Sequence, residues 1–177
     1  MRLLPGPADG AIAVEVTALE MTAPEQLVSA PRPVGAALEV VRDADPAASE
    51  SFYRRVGADW HWVDRLEWRP DQWRDWVDRP EYRLLVCTLD GAPAGYAELE
   101  QQPGGDVEIA YFGLLGGFQG RGLGAWWLGA VLEQAWALEG TRRVWVHTCD
   151  LDHPAALATY RSRGMQEFDR YIEWRMP

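Results

Sequence analysis

A glycine-rich stretch between an apolar run and a long apolar-periodic segment carries the clearest chemical signal in this chain. The run Ile109–Leu115 is followed by glycines at alternate positions, Gly120, Gly122 and Gly124. Glycine has no Cβ atom, so the main chain at these positions can approach a ligand closely. The free N–H groups of a helix's first turn, with the positive end of the helix dipole, favour a phosphate-bearing ligand. The stretch therefore predicts a strand, a phosphate-binding loop and a helix start in succession.

The same glycines also satisfy the dinucleotide fingerprint G-x-G-x-x-G/A, with Ala125 at its last position. That fingerprint requires an acidic residue about 20 residues further on, at the tip of the next strand. The next predicted strand, Arg142–Cys149, reaches its tip only at Asp150, and too few residues follow for further βα units. A dinucleotide-binding domain is therefore the weaker interpretation.

Two motifs, in order and at a matching separation, resemble the signatures of one known superfamily. Gln119-x-x-Gly122-x-Gly124 resembles the pyrophosphate-binding signature of the GNAT superfamily, the acyl-CoA-dependent N-acyltransferases. The segment HPAALATYRSRGM, residues 153–165, is similar to the second signature, Asn-x-x-Ala-x-x-Leu-Tyr-x-x-x-Gly-Phe. Three positions differ from that signature, since His153, Thr159 and Met165 replace Asn, Leu and Phe.

The resemblance implies an acetyl-CoA site in which main-chain amides of the glycine loop bind the pyrophosphate and Arg121 pairs with a phosphate. It also implies that the strand before the loop separates from its neighbour, so that its main chain pairs with the pantetheine arm. His153 falls where the family often contacts CoA. No metal is expected. The residues expected to bind the cosubstrate are Leu114, Leu115, Gln119, Gly120, Arg121, Gly122, Leu123, Gly124, Ala125 and His153.

Acyl transfer from a thioester to an amine needs a base for the ammonium proton and a proton donor for the departing sulfur. The resemblance implies Glu108 as the base, acting through water, and Tyr160 as the donor. On an extended strand, Glu108 would share a face with Ala110, Phe112 and Leu114. A solvated acid at a strand start is the alternative interpretation of Glu108. The other candidate bases are Glu98, Glu100 and His147.

An aromatic and charged segment, SFYRRVGADWHWVDRLEW, is expected to form the acceptor side. In the GNAT fold the helices after the first strand wall the acceptor pocket, so the expected contacts are Tyr53, Trp60, His61 and Trp62. Large amphipathic rings also build cores, so packing is the alternative interpretation of the tryptophans. Aromatic rings in a chain with a net charge of −10 suit a small cationic or hydrophobic amine.

A second cluster of reactive side chains ends the strand Arg142–Cys149. His147 and Cys149 share one strand face, and Asp150, Asp152 and His153 follow closely. Such residues could ligate a metal, but neither a CxxC pair nor an HxxxH helix accompanies them. A cysteine nucleophile is also disfavoured, because the family's chemistry is direct attack without an acyl-enzyme. Packing at the core or rim is the default interpretation of both residues.

Length and composition fit a globular protein. The chain has 177 residues, of which 47% are hydrophobic and 25% charged. No apolar run approaches the roughly 18 residues of a membrane span, and MRLLPGPADG lacks the apolar region of a signal peptide. Two cysteines provide no disulfide framework, so a cytoplasmic location is expected. The acidic charge argues against nucleic acid, and a homodimer is left open.

Apolar periodicity, capping residues and turn signals predict elements along the whole chain, after a loose tail at residues 1–10. The predicted strands are Ala11–Glu20, Ala36–Arg42, Tyr82–Leu89, Ala94–Gln101, Val107–Leu115, Arg142–Cys149 and Gln166–Arg175. The predicted helices are Pro46–Gly57, Asp59–Glu67, one from Pro70 that ends before Pro80, Arg121–Glu139 and Pro154–Arg163.

This order predicts an α/β (α+β) fold: a mixed, mostly antiparallel sheet with helices on both faces and, by resemblance, a splayed strand pair at the CoA site. Residues 1–35 would add a strand and a proline-rich loop to the same domain, and residues 36–177 would form the GNAT domain. The expected activity is transfer of an acetyl group from acetyl-CoA to a primary amine of a small molecule, in a ternary complex. Transfer to a protein lysine, transfer of a longer acyl chain, and a CoA-binding regulatory module without turnover are the alternatives.

Overall fold

A computed structural model describes residues 2–3, 10–41 and 44–176. The strands are β1 (Arg2–Leu3), β2 (Ile12–Met21), β3 (Ala36–Val41), β4 (Tyr82–Leu89), β5 (Ala92–Gln102), β6 (Asp106–Leu114), β7 (Arg143–Cys149) and β8 (Gln166–Arg175). The α-helices are α1 (Pro46–Gly57), α2 (Pro70–Val77), α3 (Leu123–Trp136) and α4 (Ala156–Ser162). Most of the predicted tail at residues 1–10, and the predicted strand end at Arg42, lie outside the described residues.

The described strands form one sheet in the order β1-β8-β2-β7-β6-β5-β4-β3. The pairs β1–β8 and β6–β7 are parallel, and the other neighbours are antiparallel. This confirms the predicted mixed, mostly antiparallel sheet. The β6–β7 pairing covers only Asp106–Glu108 against Arg143–Trp145, after which the two strands separate. The sheet is therefore open at its centre.

Each face of the sheet carries its own apolar cluster. On one face α3 packs Leu128 and Leu132 against residues such as Leu99 and Ile109 of β5 and β6. On the other face α1 and α2 contribute the cluster that contains Tyr53, Val56, Trp73, Tyr82 and Tyr96. Alternate residues of a strand point to opposite faces, so β5 and β6 serve both clusters at once. Helices on both faces match the prediction.

One predicted helix is wrong. Residues 59–67 form turns, in which the amides of Trp60 and Trp62 both bond back to the carbonyl of Gly57. His61 has a φ of 54°, a left-handed conformation that a right-handed helix does not contain. The aromatic residues of this segment follow no helical spacing that would turn them all to one face, so packing of individual rings decided its path.

A β-bulge in β6 changes which residues share a face. Ile109 lies opposite Leu99 and Tyr111 lies opposite Glu98, so Ala110 is an extra residue with no partner of its own. Glu108, opposite Glu100, therefore lies on the face of Tyr111, whereas Phe112 and Leu114 lie on the α3 face. The expectation that Glu108, Ala110, Phe112 and Leu114 share a face is wrong because it assumed unbroken alternation.

The described residues contain no helix long and apolar enough to cross a membrane.

Candidate active site

A cleft of about 640 Å³ opens where β6 and β7 separate. Its walls are β6 and β7, the glycine loop with the first turn of α3, the start of α4, and the aromatic segment between α1 and α2. Parallel strands that stop pairing leave main-chain groups without partners in the sheet, and a ligand can meet them. The splayed pair thus joins the loop predicted for CoA to the segment predicted for the acceptor.

The glycine loop has the conformation that its residues require. Gly120 and Gly122 have φ values of 72° and 73°, which other residues rarely adopt. Gly122 is the N-cap of α3 and supplies no side-chain cap, so the first-turn amides of that helix have no cap from it. A Cβ atom at either glycine would meet no protein atom within 4 Å. The loop leaves room and N–H donors for a diphosphate.

The residues predicted for the glycine loop fall into two groups, those that line the cleft and those that do not. Five of the predicted residues line the cleft: Gln119, Gly120, Gly122, Gly124 and Ala125. Leu123 is only 1% exposed and packs in the α3 core. Arg121 is exposed, and its guanidinium lies 5.7 Å from the ring centre of Phe118. The side chains of Leu123 and Arg121 do not line the cleft, although Leu123 still places its amide in the first turn of α3.

Main-chain pairing distinguishes Leu114 from Leu115. The amide of Leu115 donates to the carbonyl of Ala94 at 2.8 Å, and its carbonyl accepts from the amide of Phe118 at 3.2 Å. Leu114, opposite Gly95, is therefore in a non-hydrogen-bonded pair, and its own N–H and C=O point away from β5. The same alternation turns the main chain of Phe112 to that side. Phe112 was missed by the sequence analysis, whereas both main-chain groups of Leu115 are already used.

His153 lines the cleft and connects its two sides. Its ring meets the ring of Trp60 at 5.0 Å between centroids, and its Nδ1 accepts from the amide of Ala155 at 3.0 Å. The aromatic segment between α1 and α2 is thus in contact, across the cleft, with the second signature at residues 153–165. The predicted role of His153 in CoA binding stays a prediction.

Glu108 lies at the point where β6 and β7 cease to pair. Its side chain is 13% exposed, and Oε2 accepts from Nε2 of Gln102 at 2.8 Å. The indole N–H of Trp145 donates to Oε1 of Gln102 at 3.0 Å, which fixes the orientation of that amide. On the opposite strand, Nδ1 of His147 lies 3.4 Å from Oε1 of Glu108. The carboxylate is held from two sides and faces the cleft.

The two alternative carboxylates have other partners. Glu98 is fully buried and accepts from Ser49 at 2.7 Å, from Arg65 at 2.8 Å and from the indole of Trp76 at 2.9 Å. A carboxylate that holds three donors in the protein interior is not available to an incoming amine. Glu100 lines the cleft but forms an ion pair of 2.6 Å with Arg79. Of the three acids, Glu108 is therefore the best placed.

Tyr160 is 6% exposed, lines the cleft and packs 6.1 Å from the ring of Phe112. Burial, and secondly the negative charge of Asp152, raise the pKa of Tyr160 well above its ordinary value. The hydroxyl therefore stays protonated over the working range of pH. A phenol of this kind suits donation of a hydrogen bond to a departing sulfur.

Cys149 also lines the cleft, with its Sγ 3.8 Å from a guanidinium nitrogen of Arg175. Burial, followed by the charge of Asp152, raises the pKa of Cys149 above its ordinary value. A thiol that stays protonated is a poor nucleophile, which agrees with its default interpretation as a wall residue. Among the described residues, no group of three or more His, Cys, Asp or Glu side chains is arranged to hold a metal.

Three of the four predicted acceptor residues line the cleft, and the fourth lies behind them. Trp60, His61 and Trp62 line the cleft. Tyr53 is fully buried behind them, so it does not contact the cleft directly. Its hydroxyl donates to Asp64 at 2.9 Å, and the hydroxyl of Tyr111 donates to the same carboxylate.

Asp64, which the sequence analysis missed, thus presents a carboxylate to the cleft. An acid set among aromatic residues was the available signal for it.

Several rings of the tryptophan-rich segment, residues 60–76, surround Arg65, which belongs to the same segment. The guanidinium of Arg65 lies 3.9 Å from the ring centre of Trp76, 4.3 Å from Tyr111 and 4.6 Å from Trp68. Arg65 is 4% exposed and pairs with Glu98. These rings stabilise a buried cation, so packing around Arg65 accounts for Trp68, Trp73 and Trp76.

Comparison with known proteins identifies the family to which this fold belongs. The profile of the acetyltransferase (GNAT) family matches residues 40–165. The chain belongs to this family and is a GNAT acetyltransferase.

Individual relatives are more distant. Aminoglycoside N(6')-acetyltransferase type 1 of Stenotrophomonas maltophilia is 28% identical over 151 residues, 80% of this chain and 95% of that protein. A GCN5-related N-acetyltransferase from Kribbella flavida has a TM-score of 0.68 at 22% identity over 95% of this chain. One from Sphaerobacter thermophilus has 0.70 at 17% identity over 95% of it. This chain spans 60% and 54% of those two structures, which support the fold alone.

Proposed function

We propose that this protein transfers an acetyl group from acetyl-CoA to a primary amine of a small cationic molecule, by direct attack within a ternary complex. The observation that carries the proposal is the single cleft in which the bare glycine loop and an acidic, aromatic wall meet. One end suits a diphosphate and the other suits an ammonium group. The splayed strand between them is where the reacting atoms would be held.

The donor side rests on the main chain. The first-turn amides of α3 would bind the pyrophosphate, and the N–H and C=O groups of Phe112 and Leu114, which point away from β5, would pair with the amide-bearing arm. Acetyl-CoA would supply the thioester carbonyl that the amine attacks. Tyr160 would donate a hydrogen bond to the sulfur as it departs.

The acceptor side rests on charge. Asp64, Glu108 and Asp152 line the cleft, together with the rings of Trp60 and Trp62. Carboxylates and aromatic faces both attract organic cations. The base belongs to the Glu108–His147 pair, which lies beside the splay.

A relative's name suggests the first acceptors to test. The protein of Stenotrophomonas maltophilia is named for aminoglycosides, which carry several ammonium groups on sugars. An acidic wall fits that chemistry, so amino sugars head the panel, followed by polyamines and arylalkylamines. Peptides with a single lysine test the protein-lysine alternative.

The experiment measures thiol release from acetyl-CoA with each amine, and mass spectrometry of the acceptor. We expect release with cationic small amines, and at least a tenfold fall in kcat for Glu108→Gln and for Tyr160→Phe. Glu39→Gln, on the exposed edge strand β3, makes the same chemical change as Glu108→Gln at a distance from the cleft. Tyr96→Phe removes a buried hydroxyl, outside the cleft lining, for which the described residues provide no hydrogen-bond partner. Both controls should keep full activity.

Two results would contradict the proposal. One is tight CoA binding without thiol release across the whole panel, which would favour a regulatory module. The other is unchanged turnover in both Glu108→Gln and Tyr160→Phe, which would remove the two residues from the chemistry.

A further inference from the structure

A chain of polar contacts crosses the gap between β6 and β7 at the start of the splay. Trp145 of β7 donates to Gln102, and Gln102 donates to Oε2 of Glu108 on β6. The second oxygen of that carboxylate, Oε1, lies 3.4 Å from Nδ1 of His147, again on β7. Glu108 is thus fixed on one side by an amide and faces an imidazole on the other.

The arrangement determines which nitrogen of His147 is available. A neutral imidazole carries its proton on one nitrogen and a lone pair on the other. Nδ1 faces a carboxylate, so the proton belongs there and the lone pair belongs on Nε2. The side chain of His147 is 40% exposed, and it lines the cleft. Within the described part of the chain, no protein hydrogen bond to Nε2 is found.

We propose that His147, oriented by Glu108, is the group that accepts the proton of the acceptor ammonium. The N–H bond of the ammonium breaks, a new N–H bond forms at Nε2, and the amine keeps the electron pair with which it attacks. Glu108 stabilises the resulting imidazolium, and the proton leaves to solvent from the exposed ring. The proposal rests on the proposed amine acetylation.

General proton chemistry favours the imidazole over the carboxylate as the immediate base. Ordinary imidazole and carboxyl groups change charge about two pH units apart, with the imidazole near neutrality. The most efficient base at a given pH is one whose own titration lies close to it. A carboxylate that orients an imidazole and offsets its charge, without taking the proton itself, is a recurring arrangement in enzymes.

The other charged groups near the cleft are engaged elsewhere. Asp64 accepts from two tyrosine hydroxyls, and Glu100 pairs with Arg79. Asp152 accepts from the hydroxyl of Thr148 and the amide of Cys149. The two cleft-lining cations pair with acids outside it: Arg65 with Glu98, and Arg175 with Glu173. On β2, the residue opposite His147 is Ala18, which carries no charge. Glu108 is thus the carboxylate that faces the ring.

The first test is nitrogen NMR of the His147 ring in the wild type and in Glu108→Gln, which needs no turnover. In the neutral ring of the wild type the proton should lie on Nδ1, which is 3.4 Å from the carboxylate of Glu108, and Glu108→Gln should shift the tautomer ratio toward Nε2–H. Glu39→Gln should keep the wild-type tautomer. A proton on Nε2 in the wild type, or an unchanged tautomer ratio in Glu108→Gln, would overturn the pairing. If the wild type acetylates no amine, this readout still reports the pairing, so the two failures are separable.

The second test is kinetic. His147→Ala should lower kcat by at least 100-fold with little change in the KM for acetyl-CoA, and imidazole in the buffer should restore part of the rate. The exposed ring can be removed without a cavity, and circular dichroism checks the fold. In Glu108→Gln the acidic limb of the pH profile should persist, and in His147→Gln it should disappear. If instead that limb disappears in Glu108→Gln and persists in His147→Gln, Glu108 is itself the base and the proposal is wrong.

Discussion

The two ends of the cleft use their polar groups in opposite ways. In the acceptor wall, residues 53–76, key polar side chains are paired with protein groups: Arg65 pairs with Glu98 of β5, and Tyr53 donates to Asp64. In the donor loop, residues 116–125, five of the ten residues are glycines, and Gly122 supplies no side-chain cap to the first turn of α3. We call the acceptor wall the closed network, because its polar side chains pair with protein groups. We call the donor loop the open cradle, because its glycines leave room for a ligand.

This difference indicates which segment is the better candidate for ligand binding. The segment richest in tryptophan, arginine and aspartate is the one whose chemistry is mostly spent on its own stability. The segment with the least side-chain chemistry retains donors for a ligand, because a glycine loop before a helix has no groups of its own to satisfy them. The number of functional groups in a segment therefore indicates a binding site less well than the presence of groups that have no protein partner.

The closed network should show the largest response to mutation. Arg65→Met leaves the buried Glu98 without its cation, so we expect the free energy of unfolding to fall by about 3–5 kcal/mol. Urea denaturation measures it. Arg69→Met, which breaks the exposed pair with Asp71, is the control and should change nothing measurable. The double variant Arg65→Met/Glu98→Gln should recover much of the loss. If Arg65→Met is as stable as the control, the wall is not a closed network.

The two cysteines, one in the core and one in the cleft, allow the pH dependence of stability to be compared between these two regions. Burial raises the pKa of Cys87 to about 11, whereas a thiol in the unfolded chain ionises near 8.5. The unfolded state therefore loses its proton first as pH rises, and stability falls between about pH 8.5 and 11. From pH 8 to pH 10 the loss should be about 2 kcal/mol from this thiol.

Urea titrations at both pH values should show a smaller loss in Cys87→Ala than in the wild type. Cys149, in the open cleft, is the comparison, and Cys149→Ala should have the lesser effect. Equal pH dependence in the wild type and Cys87→Ala would contradict the assignment.

The open cradle should respond in binding more than in stability. Gly122→Ala forces a Cβ onto a residue with a φ of 73°, which costs about 1–2 kcal/mol. Gly140→Ala, at a φ of 82° beyond the end of α3, imposes the same strain outside the cleft. Both variants should lose similar stability. Calorimetry should find CoA affinity at least tenfold weaker in Gly122→Ala only. Equal affinity in the two variants would remove the loop from the CoA site.

Local signals predicted the elements well wherever a cap or turn residue marks an end. Asp45 and Pro46 predict the start of α1, where Asp45 accepts from the amide of Ala47 at 3.0 Å. The last strand has the predicted bounds, Gln166–Arg175. Helix α3 ends at Trp136, before the predicted Glu139, because short turns replace its last residues. Segment 59–67 failed as a helix, because ring packing and the backbone of His61 override propensity there.

Contact with the cleft was predicted best in the glycine loop, where Gln119, Gly120, Gly122, Gly124 and Ala125 line it. The glycine loop required only residue types and order. Glu108 was located, but its face was not, because the bulge at Ala110 depends on how β5 pairs with β6. Leu114 and Leu115 are equivalent in sequence, and only the bond from Leu115 to Ala94 separates them.

Residue types and their local order were enough to predict the family, most of the strands and helices, and the glycine loop before α3, since each depends on neighbours along the chain. The tertiary structure decided which carboxylate faces the cleft, that Arg65 rather than a ligand fills the ring of tryptophans, and that His147 meets Glu108. Those contacts join strands and helices far apart in sequence, and their partners are chosen by packing and strand register, which local spacing does not encode.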